Sequence, residues 1–211
     1  MACHHGPAPG SAGPDGRPDR PALVIPGKGT TIFRNPGGGL MPRSCTTLDL
    51  SAFDATREAV AGDPALGRGA FTTVTAWEDG ARARTSARSF AIETDEPAPL
   101  GGTDQAVDPM ELLLASVGTC LAIGWVTQAA KRAIDFRDLR IEVSGDYDLR
   151  GYLALDDDVR PGFSGLSYTV HVDSDATPEQ LEEIRLAAER TSPMFDNAKN
   201  ATPVVGQVET A

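Results

Sequence analysis

The chain has 211 residues and a formal net charge of −11, from 19 Lys and Arg against 30 Asp and Glu. That length suits one domain with a substantial core, and the acidic balance excludes a general nucleic-acid binder, which needs a basic surface to displace counterions from phosphates. Cys3, Cys45 and Cys120 are odd in number, far apart and without a C-x-x-C pair, which excludes a disulfide scaffold and a structural zinc site.

Residues 1–43 hold 9 of the 22 Gly and 8 of the 16 Pro and carry a net charge of +3, so the remainder carries −14. That density of breakers sustains neither a helix nor a ladder. The expected organisation is a Gly/Pro-rich flexible arm over 1–45 and one domain over 46–211. His4 and His5 beside Cys3 put three metal-capable side chains on this arm, where adventitious binding is expected rather than a built site. The first ten residues have neither a basic nor an apolar leader region. The longest apolar run, Leu112–Val126, is interrupted by Ser116, Gly118 and Thr119, so no membrane span is expected. A cytoplasmic location follows as the expectation.

Leu48–Ala61 reads as a short amphipathic helix capped by Ser51, with Ala52, Phe53, Thr56, Ala59 and Val60 on one face. Ala70–Trp77 and Arg82–Glu93 read as the two strands of a hairpin turned at Glu78-Asp79-Gly80. Arg68, Arg82, Arg84 and Arg88 form the one basic cluster of the acidic body. Asp108-Pro109-Met110-Glu111 combines an acidic cap, a proline at the first helical position and a glutamate at the third. The helix it opens, to about Ala133, is apolar nearly all round and is expected to be central and buried. Gly118 and Gly124 within it point to close approach of a neighbouring backbone.

Leu139–Tyr147 and Gly165–Asp173 read as strands. Thr177-Pro178-Glu179-Gln180 repeats the capping logic and opens a helix to about Thr191. Its buried stripe is Leu181, Ile184, Ala187 and Ala188. Ser192-Pro193 is expected to stop it, and Thr202–Val208 to form a closing strand. The order helix, β, β, long helix, β, β, helix, β gives an α+β fold with an antiparallel sheet.

Cys120 lies in the middle of the long helix, sharing a face with Leu113, Ser116, Val117, Ile123, Gly124 and Thr127. A mid-helix thiol draws little help from the helix dipole, and by composition alone it is a small core residue. His171, in the alternating strand, reads as a sheet-face side chain.

The stretch TDEPAPLGGTDQAVDPMELLLASVGTCLAIGW resembles the OsmC/Ohr family of thiol-dependent proteins, whose signature GT(D/N)…P-x-E-L-L-x-A-x-x-x-C enters a central helix. TSPMFDNAKNATPV resembles the family's exit from its second helix. LRGYLALDDDVRPGFSGLSYTV is similar to an actinobacterial-type branch, and the likeness extends over about residues 60–210. It implies an OsmC-like fold with a long central buried helix and an intertwined homodimer with two active sites at the interface. Peroxidase members reduce organic hydroperoxides through a cysteine that becomes a sulfenic acid and is captured by a second cysteine. Cys120 matches the attacking cysteine.

The position matching the resolving cysteine is Ser192. Where the peroxidases keep an activating glutamate, ten residues before the cysteine, this chain has Met110. Glu111 is one residue late, which turns its side chain by about 100°. The family arginine falls at Glu78, with Arg82 or Arg84 as substitutes. The candidate set is therefore Cys120, Glu111 and Ser192 for catalysis, with Ser116, Thr127, Arg82, Arg84 and Phe195 for substrate. Two readings stay open: a single-cysteine peroxidase using an external thiol reductant, or an OsmC fold whose pocket binds a small hydrophobic ligand or serves another reaction. No cofactor is expected.

Overall fold

A computed structural model describes residues 48–210, so the N-terminal arm, with Cys3, His4, His5 and Cys45, lies outside the described residues. The first helix, α1, spans Leu50–Gly62, and its cap is Asp49 rather than Ser51. The Asp49 carboxylate accepts the Ala52 N–H at 3.0 Å and also the Ser51 hydroxyl. An ionised cap oxygen is the stronger acceptor, so Ser51 sits two residues inside as its donor. The expected buried stripe is not buried: none of the α1 residues is. Phe53 instead lies under the Lys131 ammonium, 4.0 Å from its ring centre.

β1 (Val74–Asp79), β2 (Arg82–Ala87) and β3 (Phe90–Thr94) form an antiparallel sheet in the order β1-β2-β3. The single strand expected over Arg82–Glu93 is two strands, because the chain turns at Arg88, which takes a positive φ of 56°. No Gly, Asn or Pro announces that turn. β1 is exposed along its whole length, with Trp77 and Val74 among the apolar side chains facing outwards.

The long helix, α2 (Pro109–Ala130), begins as its sequence predicts. The Asp108 carboxylate accepts from the Met110 N–H at 2.6 Å, and the Glu111 carboxylate reaches back to the Asp108 N–H at 3.1 Å. It ends three residues before the expected Ala133 because Ala133 takes φ 53°. There the Ile134 N–H returns to the Ala129 carbonyl and the Ala133 N–H to the Ala130 carbonyl, the Schellman pattern. Contrary to the sequence expectation, α2 is long enough and apolar enough by composition to cross a membrane. Ser116 and Thr127 do not interrupt its apolar character, since each hydroxyl donates to a carbonyl of its own helix, Leu113 at 2.7 Å and Ile123 at 2.8 Å. Nor is α2 buried all round: Val117, Leu121, Trp125 and Ala129 are, while Leu113 and Ile123 are exposed.

β4 (Asp138–Asp146) and β5 (Gly165–Asp173) pair antiparallel in unbroken register, Leu139 opposite Val172, Ile141 opposite Val170 and Val143 opposite Tyr168. This face packs on the helices; the other carries Arg140, Glu142 and His171, as expected of a sheet-face histidine. The connection holds a short helix, α3 (Leu149–Tyr152), that sequence reading missed. α4 (Pro178–Thr191) has the predicted bounds and a Thr177–Gln180 capping box. The core joins Trp125 and Ala129 of α2, Phe136, and Ile184 and Ala188 of α4. α2 and α4 approach closely at Gly124, where a Cβ would lie 3.2 Å from the Ala188 Cβ.

Ser192-Pro193 ends α4 but opens a further helix, α5 (Pro193–Lys199). Proline at the first helical position behind a serine cap is a start signal as much as a stop. The closing strand expected over Thr202–Val208 does not form; Val204, Val205 and Val208 are each at least 90% exposed. Strand-prone residues form a strand only where an edge pairs with them, and no described strand does. The result is a mixed α+β fold with two antiparallel sheets and a long helix.

Candidate functional site

Cys120 is half-buried, facing the junction of α4 and α5. Ser192 occupies that junction as the last cap of one helix and the first of the next. Its N–H reaches the Glu189 carbonyl at 3.4 Å, and its hydroxyl oxygen accepts the Phe195 N–H at 3.1 Å. The same hydroxyl donates to Cys120 Sγ at 3.2 Å. Ser192 is only 4% exposed, so this contact is shielded from water. Two residues 72 positions apart are thus brought into direct contact.

Phe195 stands beside this pair. Its ring meets Tyr168 of β5 edge-on, centroids 6.1 Å apart, and the Lys199 ammonium lies 5.4 Å from its centroid. The Tyr168 hydroxyl donates to Glu189 Oε1, which also accepts from Arg185. Arg185 holds Glu182 as well, through two bonds of 2.6 and 2.7 Å. Burial, reinforced by the Glu189 carboxylate and opposed by Arg185, pushes the Tyr168 phenol above its ordinary range. The Glu182 pairing, with Tyr168 next, holds Arg185 still more firmly protonated than a free guanidinium.

The remaining candidates lie apart. Ser116 is one turn before Cys120 and Thr127 two turns after it, both with hydroxyls bonded within α2. Glu111 is nine residues upstream, about 13.5 Å along the helix axis, and its carboxylate is engaged in the capping box. Arg82 pairs with Glu78 at 3.6 Å and Arg84 with Glu93 at 2.9 Å, both within the β1–β3 sheet. His171 faces Glu142 at 3.6 Å on the outside of β4–β5.

Sequence reading missed three parts of this neighbourhood: Tyr168, Glu189 and Trp125. Tyr168 sits where strand alternation turns it inwards, a signal present in the sequence. Nothing local in the sequence singled out Glu189 or Trp125. Upstream of α2, Asp95 is 1% exposed and accepts from the backbone N–H groups of Glu96, Thr103 and Gln105 and from the Thr103 hydroxyl. These donors, the Thr103 hydroxyl first, hold its carboxyl below the usual range despite burial. Glu96 next to it is raised, first by burial and then by the Asp108 charge. Among the described residues no group of three or more His, Cys, Asp and Glu side chains is placed to hold a metal ion.

Comparison with known proteins gives this arrangement a context. Residues 102–205 match the family profile described as OsmC-like protein. The fold resembles an OsmC-like protein from Mycoplasma pneumoniae, at 13% identity and a TM-score of 0.55, over 63% of this chain and 89% of that one. It also resembles a putative osmotic stress induced and detoxification response protein from Psychrobacter arcticus, at 19% identity and a TM-score of 0.51, over 62% and 89% of the two chains. A hypothetical protein from Aquifex aeolicus is similar at 15% identity and a TM-score of 0.51, over 64% and 91%. Comparison with curated protein sequences finds no match. The matched segment contains Cys120, Ser192 and the elements that join them, and the chain belongs to the OsmC-like family.

Proposed function

We propose that the protein is a thiol peroxidase that reduces organic hydroperoxides through Cys120 and is recycled by an external thiol. The family includes organic hydroperoxide resistance proteins. The observation that carries the reading is the buried Ser192 hydroxyl donating to Cys120 Sγ at 3.2 Å. A hydroxyl aimed at sulfur supports negative charge on it, and the thiolate is the attacking species. The Cys120 thiolate attacks one oxygen of ROOH; an S–O bond forms, the O–O bond breaks, and the departing RO⁻ takes a proton to become ROH. Cys120 is then a sulfenic acid. Ser192 cannot resolve it, so a thiol R′SH attacks the sulfur, water leaves, and a mixed disulfide forms. A second R′SH releases R′SSR′ and restores Cys120, so two thiols supply the two electrons taken by the peroxide.

In this reading Phe195 borders the approach to sulfur, while Ser116 and Thr127 lie on the same helix one turn before and two turns after Cys120 as candidate contacts for a longer substrate. Glu111 fixes the entry of α2 and hence the axial position of Cys120. Arg82 and Arg84 are candidate contacts for the peroxide oxygens, which requires their release from Glu78 and Glu93. The working unit is a homodimer. In support, the single chain leaves Val74, Trp77, Ile123, Val204, Val205 and Val208 each more than 60% exposed, an apolar surface of the kind that marks an interface.

The test is hydroperoxide-dependent oxidation of a dithiol, wild type against Cys120→Ser, with trapping of the sulfenic acid by a carbon nucleophile. Turnover confined to the wild type, with label on Cys120, is the expected result. Equal turnover in the two proteins ends the proposal.

A further inference from the structure

A residue shared by two helices goes where those helices put it. Ser192 closes α4 and opens α5, so the direction of its hydroxyl depends on how the two helices meet. Its bonds to the Glu189 carbonyl and the Phe195 N–H fasten it to each helix separately. α2 supports both helices from one side. From the sheet, one side chain reaches both flanks of the junction.

That side chain is Tyr168, turned inwards from β5. Its hydroxyl donates to Glu189 Oε1 in the last turn of α4. Its ring meets the Phe195 ring of α5 edge-on, with centroids 6.1 Å apart, inside the favoured range for such pairs. Glu189 and Phe195 stand three residues before and three residues after Ser192. Arg185, the other partner of Glu189, belongs to α4 itself, so its pairing stays within the helix, while the Tyr168 bond ties helix to sheet. Packing alone would be met by phenylalanine. The phenol adds a charge-assisted bond, which is directional where apolar contact is not.

We infer that Tyr168 is a positioning residue for the Cys120 site: through Glu189 on one side and Phe195 on the other, it sets the α4–α5 junction so that the Ser192 hydroxyl points at Cys120 Sγ. The inference rests on the same Ser192 contact as the peroxidase reading and deepens it. Tyr168 acts through Ser192 and places no atom on the substrate.

Alkylation of Cys120 by iodoacetamide in the full chain at neutral pH, followed by peptide mass spectrometry, reports on the thiolate without peroxide turnover. Ser192→Ala slows it by about threefold to tenfold, the loss of one hydrogen bond to sulfur, partly offset by the greater nucleophilicity of an unsupported thiolate. Tyr168→Phe keeps the ring and slows it by about twofold to fivefold. Loosening of the fold would bare the half-buried thiol and speed alkylation, so slowing has the opposite sign to a packing defect. In the Ser192→Ala background Tyr168→Phe has no further effect, because it acts only through that hydroxyl. Glu189→Ala reproduces Tyr168→Phe, and Glu189→Gln, which keeps an acceptor for the phenol, restores most of the rate. If Glu189→Ala fails to fold, Tyr168→Phe alone and with Ser192→Ala still decides the matter. Unslowed alkylation in Tyr168→Phe, or its full slowing on top of Ser192→Ala, overturns the inference and leaves the peroxidase reading to its own turnover test. So does a rate in Glu189→Gln no higher than in Glu189→Ala. A wild-type rate in Ser192→Ala overturns the inference together with the support that the hydroxyl lends to the peroxidase reading.

Discussion

Replacing Ser192 with cysteine places a second sulfur where the hydroxyl now meets Cys120. The present Oγ–Sγ separation is 3.2 Å, and a disulfide requires about 2.05 Å, so roughly 1 Å of approach closes the bond. The crosslink spans 72 residues, for which loop-closure entropy alone gives about 4 kcal/mol and engineered bonds deliver about 2–4 kcal/mol. Against this, the reduced variant loses the oxygen that accepts the Phe195 N–H, a cap worth about 1 kcal/mol. For a protein of this size 1 kcal/mol moves the melting temperature by about 2–4 °C. Reduced Ser192→Cys is therefore expected to melt about 2–4 °C below wild type, and its oxidised form roughly 5–15 °C above its reduced form. Calorimetry at fixed protein concentration, with and without one equivalent of hydroperoxide, measures both. Intact mass should fall by two hydrogens, and thiol titration should lose Cys120 and the new cysteine together. If hydroperoxide consumes neither thiol, or the oxidised form is no more stable, the 192–120 juxtaposition is not a redox centre.

Other expectations follow from the packing and charges. Ile184→Ala empties a fully buried position in the core and should cost about 2–5 kcal/mol in urea unfolding, with an unchanged denaturant slope. Gly124→Val drives a branched side chain against Ala188 and should destabilise by about 1–3 kcal/mol. The milder Gly118→Ala meets a single Val143 methyl at 3.2 Å and should be better tolerated. Asp95 has a lowered carboxyl, so its stabilisation is present above the ordinary aspartate range and is lost as pH falls through the folded value. Asp95→Ala should lower the melting temperature at neutral pH, and the difference from wild type should shrink in acid. Tyr168 shifts the other way: stability from its neutral phenol is intact below about pH 10 and declines as pH rises beyond it. Ultraviolet titration of Tyr168→Phe against wild type should remove the last-ionising tyrosine.

What the sequence disclosed was local. Asp108-Pro109 with Glu111 and Thr177-Pro178 with Gln180 each satisfy their own backbone donors within one turn, so the starts of α2 and α4 could be read directly. The turn at Arg88 could not, because the sheet around it holds an arginine in a conformation that glycine or asparagine usually advertises. Thr202–Val208 misled for the opposite reason: propensity describes the segment, while a ladder needs an edge to pair with. Ser192-Pro193 carries two meanings, stop and start, and only the placement of Phe195 shows that both apply. Cys120 was visible through its motif. Its nearness to Ser192 was implied only by the family resemblance, since local pattern cannot bring together residues 72 apart that meet once α4 has packed on α2. The unsatisfied Trp125 N–H is a property of the assembled core, and no residue pattern encodes it.

The composition of α2 also bears on how the chain is made. The helix is complete in sequence at Ala130, about 60 residues before the end of α4, which supplies much of its cover. At roughly 5–20 residues per second of synthesis, a segment apolar enough to pass for a membrane span waits roughly 3–12 seconds before its partner helix has been added. During that interval its own capping box can hold the helix, but only Phe136 and the β4–β5 hairpin are at hand to shield it, and the α4 side of Trp125 stays open. Slowed translation between Lys131 and Pro178 should therefore lower the yield of folded protein more than the same delay placed after Thr191.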